Sequence, residues 1–174
     1  SKVTVTGNPV RPEVLRGEKE RGAALFGMDP ALPLLYVTGG AQGSHAINMA
    51  VRDALPELLE CCQVIHQCGE GPDGSGDDLR DLRDTRSSLQ PEAMSRYRVQ
   101  AFVGDELGDV YALADLVLGR AGAGTVNELA ALGKPSLLVP LPGAKEQEAN
   151  ARALQKEGGA LLIPQDDLTP ESLV

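Results

Sequence analysis

The 174 residues are 42% apolar and 24% charged, enough chain and enough apolar matter for one domain with a sizeable core. Sixteen Lys and Arg against 25 Asp and Glu leave a formal charge of −9, which argues against a nucleic-acid partner. No run approaches the ~20 apolar residues of a membrane span, and Ser1–Val5 reads as structure and not as a signal peptide, so a cytoplasmic domain is expected.

Leu34 to Val37 is an apolar run that reads as a strand and leads into the turn Gly39-Gly40-Ala41-Gln42-Gly43. Ile47, Val51, Leu55, Leu58 and Leu59 then recur at helical spacing. Gln63 to Cys68 is a short β-prone run, and Gly69 to Gly76 is loop, rich in Gly, Pro and Asp. Asp77 to Ser88 is strongly charged and reads as a solvated helix or a poorly ordered stretch. Tyr97 to Phe102 reads as a strand. Leu107, Val110, Tyr111 and Ala114 mark one helix face, with Asp105 as its N-cap. Strand Leu116 to Leu118 follows, then a second turn, Ala121-Gly122-Ala123-Gly124. The helix after it turns Val126, Leu129 and Ala130 inward and ends at Gly133 and Pro135. Ser136 to Val139 is a buried strand. Lys145 to Glu157 is a polar helix closed by Gly158-Gly159, and Ala160 to Ile163 is the last strand.

The order βαβαβαβαβαβ predicts an α/β fold: a Rossmann-like parallel sheet with helices on both faces and right-handed crossovers. Neither an internal repeat nor a second domain is visible. The first residue is not Met, and Pro170 to Val174 resembles the first turn of a helix cut short, so an excised piece of a longer protein is expected. Cys61, Cys62 and Cys68 are odd in number, two are adjacent, and no C-x-x-C pair exists. They read as small apolar residues of a reducing compartment, and a metal site built from them and His66 is not expected.

The two glycine turns carry the chemistry. Strand, glycine turn, helix is how an α/β protein builds an anion site: the first free N–H groups of the helix point outward, and the aligned peptide dipoles add about half a positive charge there. Both turns fall at the carboxyl edge of the sheet, where such folds bind ligands. A nicotinamide or flavin site needs Gly-x-Gly-x-x-Gly and an acid about 20 residues on; the first turn is Gly-Gly-x-x-Gly and the nearest strand-end acid is Glu70, a poor match. Neither Gly-Lys-Ser/Thr nor Asp-x-Asp occurs. What remains is a nucleotide diphosphate held by helix ends.

Five stretches together resemble the donor-binding half of the MurG family of N-acetylglucosaminyltransferases: Gly7-Asn8-Pro9-Val10-Arg11, Val37 to Ser44, His66-Gln67-Cys68-Gly69, Arg120 to Glu128, and Gln147 to Ala151. They span nearly the whole chain, in the family's order and spacing. The resemblance implies the C-terminal domain of a two-domain GT-B enzyme, with residues 1–174 as the UDP-sugar domain and an N-terminal acceptor domain absent. It implies an inverting transfer of GlcNAc from UDP-GlcNAc to a lipid-linked muramoyl-pentapeptide acceptor, lipid I, in peptidoglycan synthesis. The full enzyme would sit peripherally on the cytoplasmic face of the membrane. No tightly bound cofactor, no metal and no nucleic acid are implied, and no catalytic residue is assigned within this half; the general base would come from the other.

Carried over residue by residue, Gly39, Gly40, Ala41, Gln42 and Gly43 resemble the diphosphate loop, and Arg11 the arginine that reaches the donor phosphates. Phe102 and Val103 stand where backbone contacts uracil. Gly122, Ala123, Gly124 and Thr125 form the second helix start near the phosphates, and Glu128 resembles the carboxylate that takes both ribose hydroxyls. Glu146 and Gln147 stand where the family often has a Gln pair near the sugar. Three positions depart from the pattern: Ala41 replaces a Ser, Glu146 replaces the first Gln, and Glu70 stands where Lys is common. The residues also admit plainer readings. Thr125 to Glu128 fits a capping box, Arg11 a surface charge, and Gln147 a solvated helix position. His66 reads as a packed or hydrogen-bonded residue before it reads as a catalyst, and His45 either donates to phosphate or is simply exposed. Alternatives for the whole are the catalytic subunit of a split two-chain glycosyltransferase, a UDP-GlcNAc 2-epimerase using Glu146 and Glu148 as acid and base, and a non-catalytic nucleotide-binding module.

Overall fold

The computed structural model describes residue 4, residues 7–71 and residues 76–174. Most of the opening run Ser1–Val5, and residues 72–75 of the Gly69 to Gly76 loop, lie outside the described residues. The strands are β1 (Leu34–Thr38), β2 (Gln63–Gln67), β3 (Tyr97–Gln100), β4 (Leu116–Gly119), β5 (Ser136–Leu138) and β6 (Ala160–Leu162). The helices are α1 (Lys19–Phe26), α2 (His45–Cys61), α3 (Asp77–Ser88), α4 (Pro91–Ser95), α5 (Leu107–Leu113), α6 (Ala123–Leu132) and α7 (Lys145–Lys156). All strand pairs are parallel, in the order β3-β2-β1-β4-β5-β6. The doubly wound sheet expected from the strand–helix alternation is therefore the one observed.

Alternation along each central strand sorts the core into two layers. Leu34, Tyr36, Ile65 and Val117 face one side, packed with Val110 and Tyr111 of α5 and Val126 and Leu129 of α6. Leu35, Val37, Val64 and Leu118 face the other, packed with Ile47, Val51, Leu55, Leu58 and Leu59 of α2. Cys62 and Cys68 behave as the small apolar residues expected, burial pushing each thiol up to about 11. Among the described residues no group of three or more His, Cys, Asp or Glu is placed to hold a metal ion. No described helix is long and apolar enough to cross a membrane.

Several local expectations are corrected. Helix α1 was not legible because Gly22 interrupts it; Gly22 is there because a Cβ would stand 2.6 Å from the Asp109 carbonyl oxygen, so the helix needs that gap to lie against α5. Helix α4 is five residues long, too short for periodicity to mark. Asp105 does not cap α5: the N-cap is Glu106, without a side-chain bond. Asp109 of that helix does hold distant chain, accepting from Glu18 N at 2.8 Å and from Arg21 Nε and Nη2 at 2.6 Å each. On α6, Ala130 faces solvent, and Val126, Glu128 and Leu129 form the buried face. Strands β3, β5 and β6 end one or two residues early. The Pro170 to Val174 segment holds a 3-10 turn, Pro170–Ser172, closed by a capping box with Thr169.

The connections after β1 and β2 press backbone on backbone. Gly43 (φ +82°) has no room for a side chain because a Cβ would overlap the Cys68 carbonyl; Gly69 (φ +76°) has none because a Cβ would overlap the Gln42–Gly43 peptide. Gly43→Ala combines positive φ with overlap and is expected to lower unfolding free energy by about 2–4 kcal/mol. Gly122→Ala, at φ −63° with open space around it, should change it by less than about 1 kcal/mol. Urea denaturation of the two variants checks the contrast.

Candidate functional site

Strands β1 and β4 lie side by side, Thr38 opposite Gly119. The chain leaves β1 for α2 on one face and leaves β4 for α6 on the other. This is the switch point of a doubly wound sheet, and the crevice beyond it is where such folds bind ligands.

The turn after β1 is drawn tight. Gly39 is pressed against the Ser44 amide, where a Cβ would not fit. Gly40 donates its N–H to Thr38 Oγ1 at 3.2 Å, and its carbonyl accepts from Gly43 N at 3.2 Å and Gln67 Nε2 at 3.0 Å. The Gln42 carbonyl accepts from Gly71 N at 3.1 Å. Ser44 caps α2, its Oγ accepting from Ile47 N at 3.4 Å. The amides of Ala41 and Gln42 are left with no partner among the described residues. The turn after β4 ends at Gly122, the N-cap of α6, which makes no side-chain cap. The first-turn amides of Ala123, Gly124 and Thr125 therefore lack intrahelical acceptors and carry the positive end of the helix dipole.

Between the two turns lies a cavity of about 350 Å³. Of the sequence-predicted residues, Arg11, Gly40, Ala41, Phe102, Val103, Gly124, Thr125 and Glu128 line it, together with Tyr36, Thr38, Gln67, Leu107 and Tyr111. Glu128 is only 7% exposed. Its Oε1 accepts from Arg11 Nε at 3.0 Å and stands 2.9 Å from Arg11 Nη2; its Oε2 accepts from the Tyr111 hydroxyl at 3.4 Å. Tyr111 meets Tyr36 edge to face, ring centroids 5.6 Å apart. Burial holds both phenols well above the ordinary tyrosine range, so they are neutral donors. Because α6 begins two residues before Thr125 and its N-cap makes no side-chain bond, the capping-box reading of Thr125 and Glu128 does not describe this helix.

Residues 34–174 match the model of the glycosyltransferase family 28 C-terminal domain. The chain belongs to that family. A Bacillus cereus protein named UDP-N-acetylglucosamine–N-acetylmuramyl-(pentapeptide) pyrophosphoryl-undecaprenol N-acetylglucosamine transferase 2 is 37% identical across 99% of this chain and 46% of its own length. A Clostridium perfringens transferase of the same description is 36% identical across 100% of this chain and 46% of its own length. The crystal structure of Acinetobacter baumannii MurG superposes with a TM-score of 0.68 at 30% identity, over 87% of this chain and 41% of that one. The chain thus spans a little under half the length of the curated relatives it matches. Its sheet is the Rossmann-like sheet of a GT-B C-terminal domain.

Not every predicted residue of this family 28 domain reaches the cavity wall. Gly39, Gln42, Gly43, Gly122 and Ala123 belong to the two turns but do not line the cavity. Glu146 and Gln147 lie on the first turn of α7, away from the lining; Gln147 Oε1 accepts from Leu141 N at 3.0 Å, and Glu146 is exposed. The Val103 amide is engaged, donating to Gln67 Oε1 at 2.9 Å. The residues missed from sequence are Tyr36, Thr38, Gln67, Leu107 and Tyr111. Of these, Tyr36 alone carried a signal, a polar atom among the Leu and Val of β1; Thr38 and Gln67 end their strands, and Leu107 and Tyr111 read only as one apolar face of α5.

His45 is exposed and pairs with Asp78 at 2.7 Å, on the flank of the turn. His66 is fully buried beside Gln67. Asn48 Nδ2 donates to Cys68 O and Asp78 Oδ2, which turns its Oδ1 toward His66 Nε2 at 3.0 Å. The network therefore assigns the Nε2–H tautomer, with Nδ1 accepting from the Tyr97 hydroxyl at 3.0 Å. Packing, as expected, and not catalysis describes this histidine. Burial pushes its pKa down to about 3. The unfolded imidazole, near 6.5, binds the proton first as pH falls, so this contribution to stability is whole above pH 6.5 and lost between about 6.5 and 3, at up to about 1.4 kcal/mol per pH unit. NMR of the His66 ring should show a neutral imidazole at pH 4.5 while urea denaturation at pH 7, 5.5 and 4.5 reports falling stability.

Proposed function

We propose that this domain binds UDP-GlcNAc and presents it for inverting transfer of GlcNAc to the lipid-linked muramoyl-pentapeptide acceptor of peptidoglycan synthesis. The reading has it work as the donor-binding half of a two-domain enzyme peripheral to the cytoplasmic membrane face, the acceptor being held by an N-terminal domain. One observation carries it: a buried carboxylate, Glu128, lines the same cavity as Gly40 and Ala41 of one turn and Gly124 and Thr125 of the other, turns that keep backbone amides without a partner among the described residues. A carboxylate accepts from two vicinal hydroxyls at once, and the amides suit a diphosphate. The activity for which relatives 36–37% identical over essentially the whole chain are named supports it.

In this reading the acceptor hydroxyl attacks the anomeric carbon, the bond to the diphosphate oxygen breaks, and negative charge grows on departing UDP. The N-termini of α2 and α6 stabilise that charge without reorganising, which is how an electrostatic interaction favours the transition state over the ground state. Ala41 supplies no hydroxyl, so backbone amides carry the contact at that point. Glu128 and Arg11 act in sequence. For Glu128 to take a ribose diol, Arg11 has to release Oε1, and the donor phosphates are the anions that draw it off. Arg11 is able to swing, its side chain being 57% exposed. The epimerase alternative loses ground because Glu146 and Glu148 do not line the cavity, and Glu148 is paired with Arg152 at 2.6 Å.

Calorimetry with UDP, UMP and NAD tests the assignment. Weak UDP binding, most of it lost with UMP, is the expected result; NAD binding as tight as UDP rejects the model. Glu128→Gln should weaken UDP about 10–100-fold, the worth of a hydrogen bond to a charged group, and change stability by less than about 1 kcal/mol, since Arg11 is largely solvated. A lowered melting temperature with unchanged UDP affinity would make Glu128 a structural residue.

A further inference from the structure

Gln67 closes β2, the strand that lies between β1 and β3, and its register partners are Thr38 on one side and Gln100 on the other. The loops leaving both neighbours fold over its side chain. Two residues beyond Thr38 is Gly40 of the diphosphate turn; three beyond Gln100 is Val103 of the loop that enters α5. The Gln67 amide touches both: Nε2 donates to Gly40 O at 3.0 Å, and Oε1 accepts from Val103 N at 2.9 Å and from the Tyr36 hydroxyl at 3.2 Å. The residue is 5% exposed, so these bonds are made out of competition with water. A planar group with a donor at one end and a two-lone-pair acceptor at the other is what the arrangement requires. Glutamate offers no donor for Gly40, and leucine offers neither.

We propose that Gln67 is a positioning residue that locks the diphosphate turn and the Val103 loop into one rigid arrangement, so that a nucleoside diphosphate finds both in place together. Holding the Gly40 carbonyl fixes the start of the turn whose next two amides, those of Ala41 and Gln42, have no partner among the described residues. Holding the Val103 amide fixes the loop that carries Phe102, another residue of the cavity lining. The inference rests on the nucleotide-diphosphate reading of the cavity and adds to it a coupling between its two ends.

Gln67→Glu and Gln67→Leu separate the two bonds. Glutamate keeps the acceptor for Val103 N and Tyr36 but loses the donor to Gly40, so its UDP-to-uridine affinity ratio should fall at least about 10-fold, with uridine itself affected less than UDP; a lost hydrogen bond of this kind is worth about one decade. Leucine loses both, and uridine affinity should fall with UDP affinity. Leu58→Ala, in the core at the far end of α2, lowers the melting temperature without touching either loop and should leave the ratio unchanged. Calorimetry or NMR titration of all four proteins reads the result. If the wild-type domain binds no uridine nucleotide, the donor reading fails. If it binds UDP and both Gln67 variants keep the wild-type ratio at whatever cost in melting temperature, Gln67 is structural and this inference alone is overturned.

Discussion

The approach of two backbones without side chains between them, Gln42 and Gly43 against Cys68 and Gly69, is the contact on which the site depends. Strands β1 and β2 are neighbours in the sheet, so the turns that leave them have to share one small volume. Only glycine at positions 43 and 69 lets them share it, and both adopt the positive φ that other residues resist. With the turns pressed together, Ser44 stands at the N-cap of α2, the Gly40 carbonyl accepts from Gln67, and the Ala41 and Gln42 amides between them have no partner among the described residues.

The electrostatics of the site are local and run against the character of the whole chain. A formal charge of −9 is a poor frame for holding a diphosphate. Under the proposed function, the cavity would hold one with fixed dipoles, helix N-termini and turn amides, which need no countercharge and no reorganisation. The two full charges in the wall, Arg11 and Glu128, are held together as a pair, with Tyr111 donating to the carboxylate from the other side. Each charge thereby has a partner within the protein, and each is the kind of group a sugar nucleotide would take over, phosphate for Arg11 and hydroxyls for Glu128. Behind the wall, the Tyr97–His66–Asn48 chain ties the start of β3 and the end of β2 to α2, and no buried side-chain polar atom is left without a partner among the described residues.

Much of the site was legible because glycine turns after apolar runs have few other uses. Arg11, Phe102, Val103 and Glu128 were reached only through the family resemblance, and they line one cavity with Gly40, Ala41, Gly124 and Thr125 of the two turns. Thr125 and Glu128 also satisfied a capping-box pattern, and only the observed start of α6 at Ala123 separates the two readings. Glu146 and Gln147 show the opposite case: a position one turn into a helix says nothing about whether a short strand and a Pro-rich loop bring that helix to the cavity. Gln67 gave little sign of itself because one glutamine at a strand end is common, and its importance lies in what two other loops do around it.

The alternation of apolar strands with helices, and the glycine punctuation between them, determined the fold class, the helical cores and the edge of the sheet that carries the turns. These are local consequences: period-2 and period-3.6 burial and the freedom of glycine are written into consecutive residues. The strand order that sets β1 against both β2 and β4, the Arg11–Glu128 pair across 117 residues of chain, and the three bonds of Gln67 were decided by tertiary structure alone. Each depends on residues that share no neighbourhood in sequence, and they meet only because the crossovers of a parallel sheet return every strand end to the same edge.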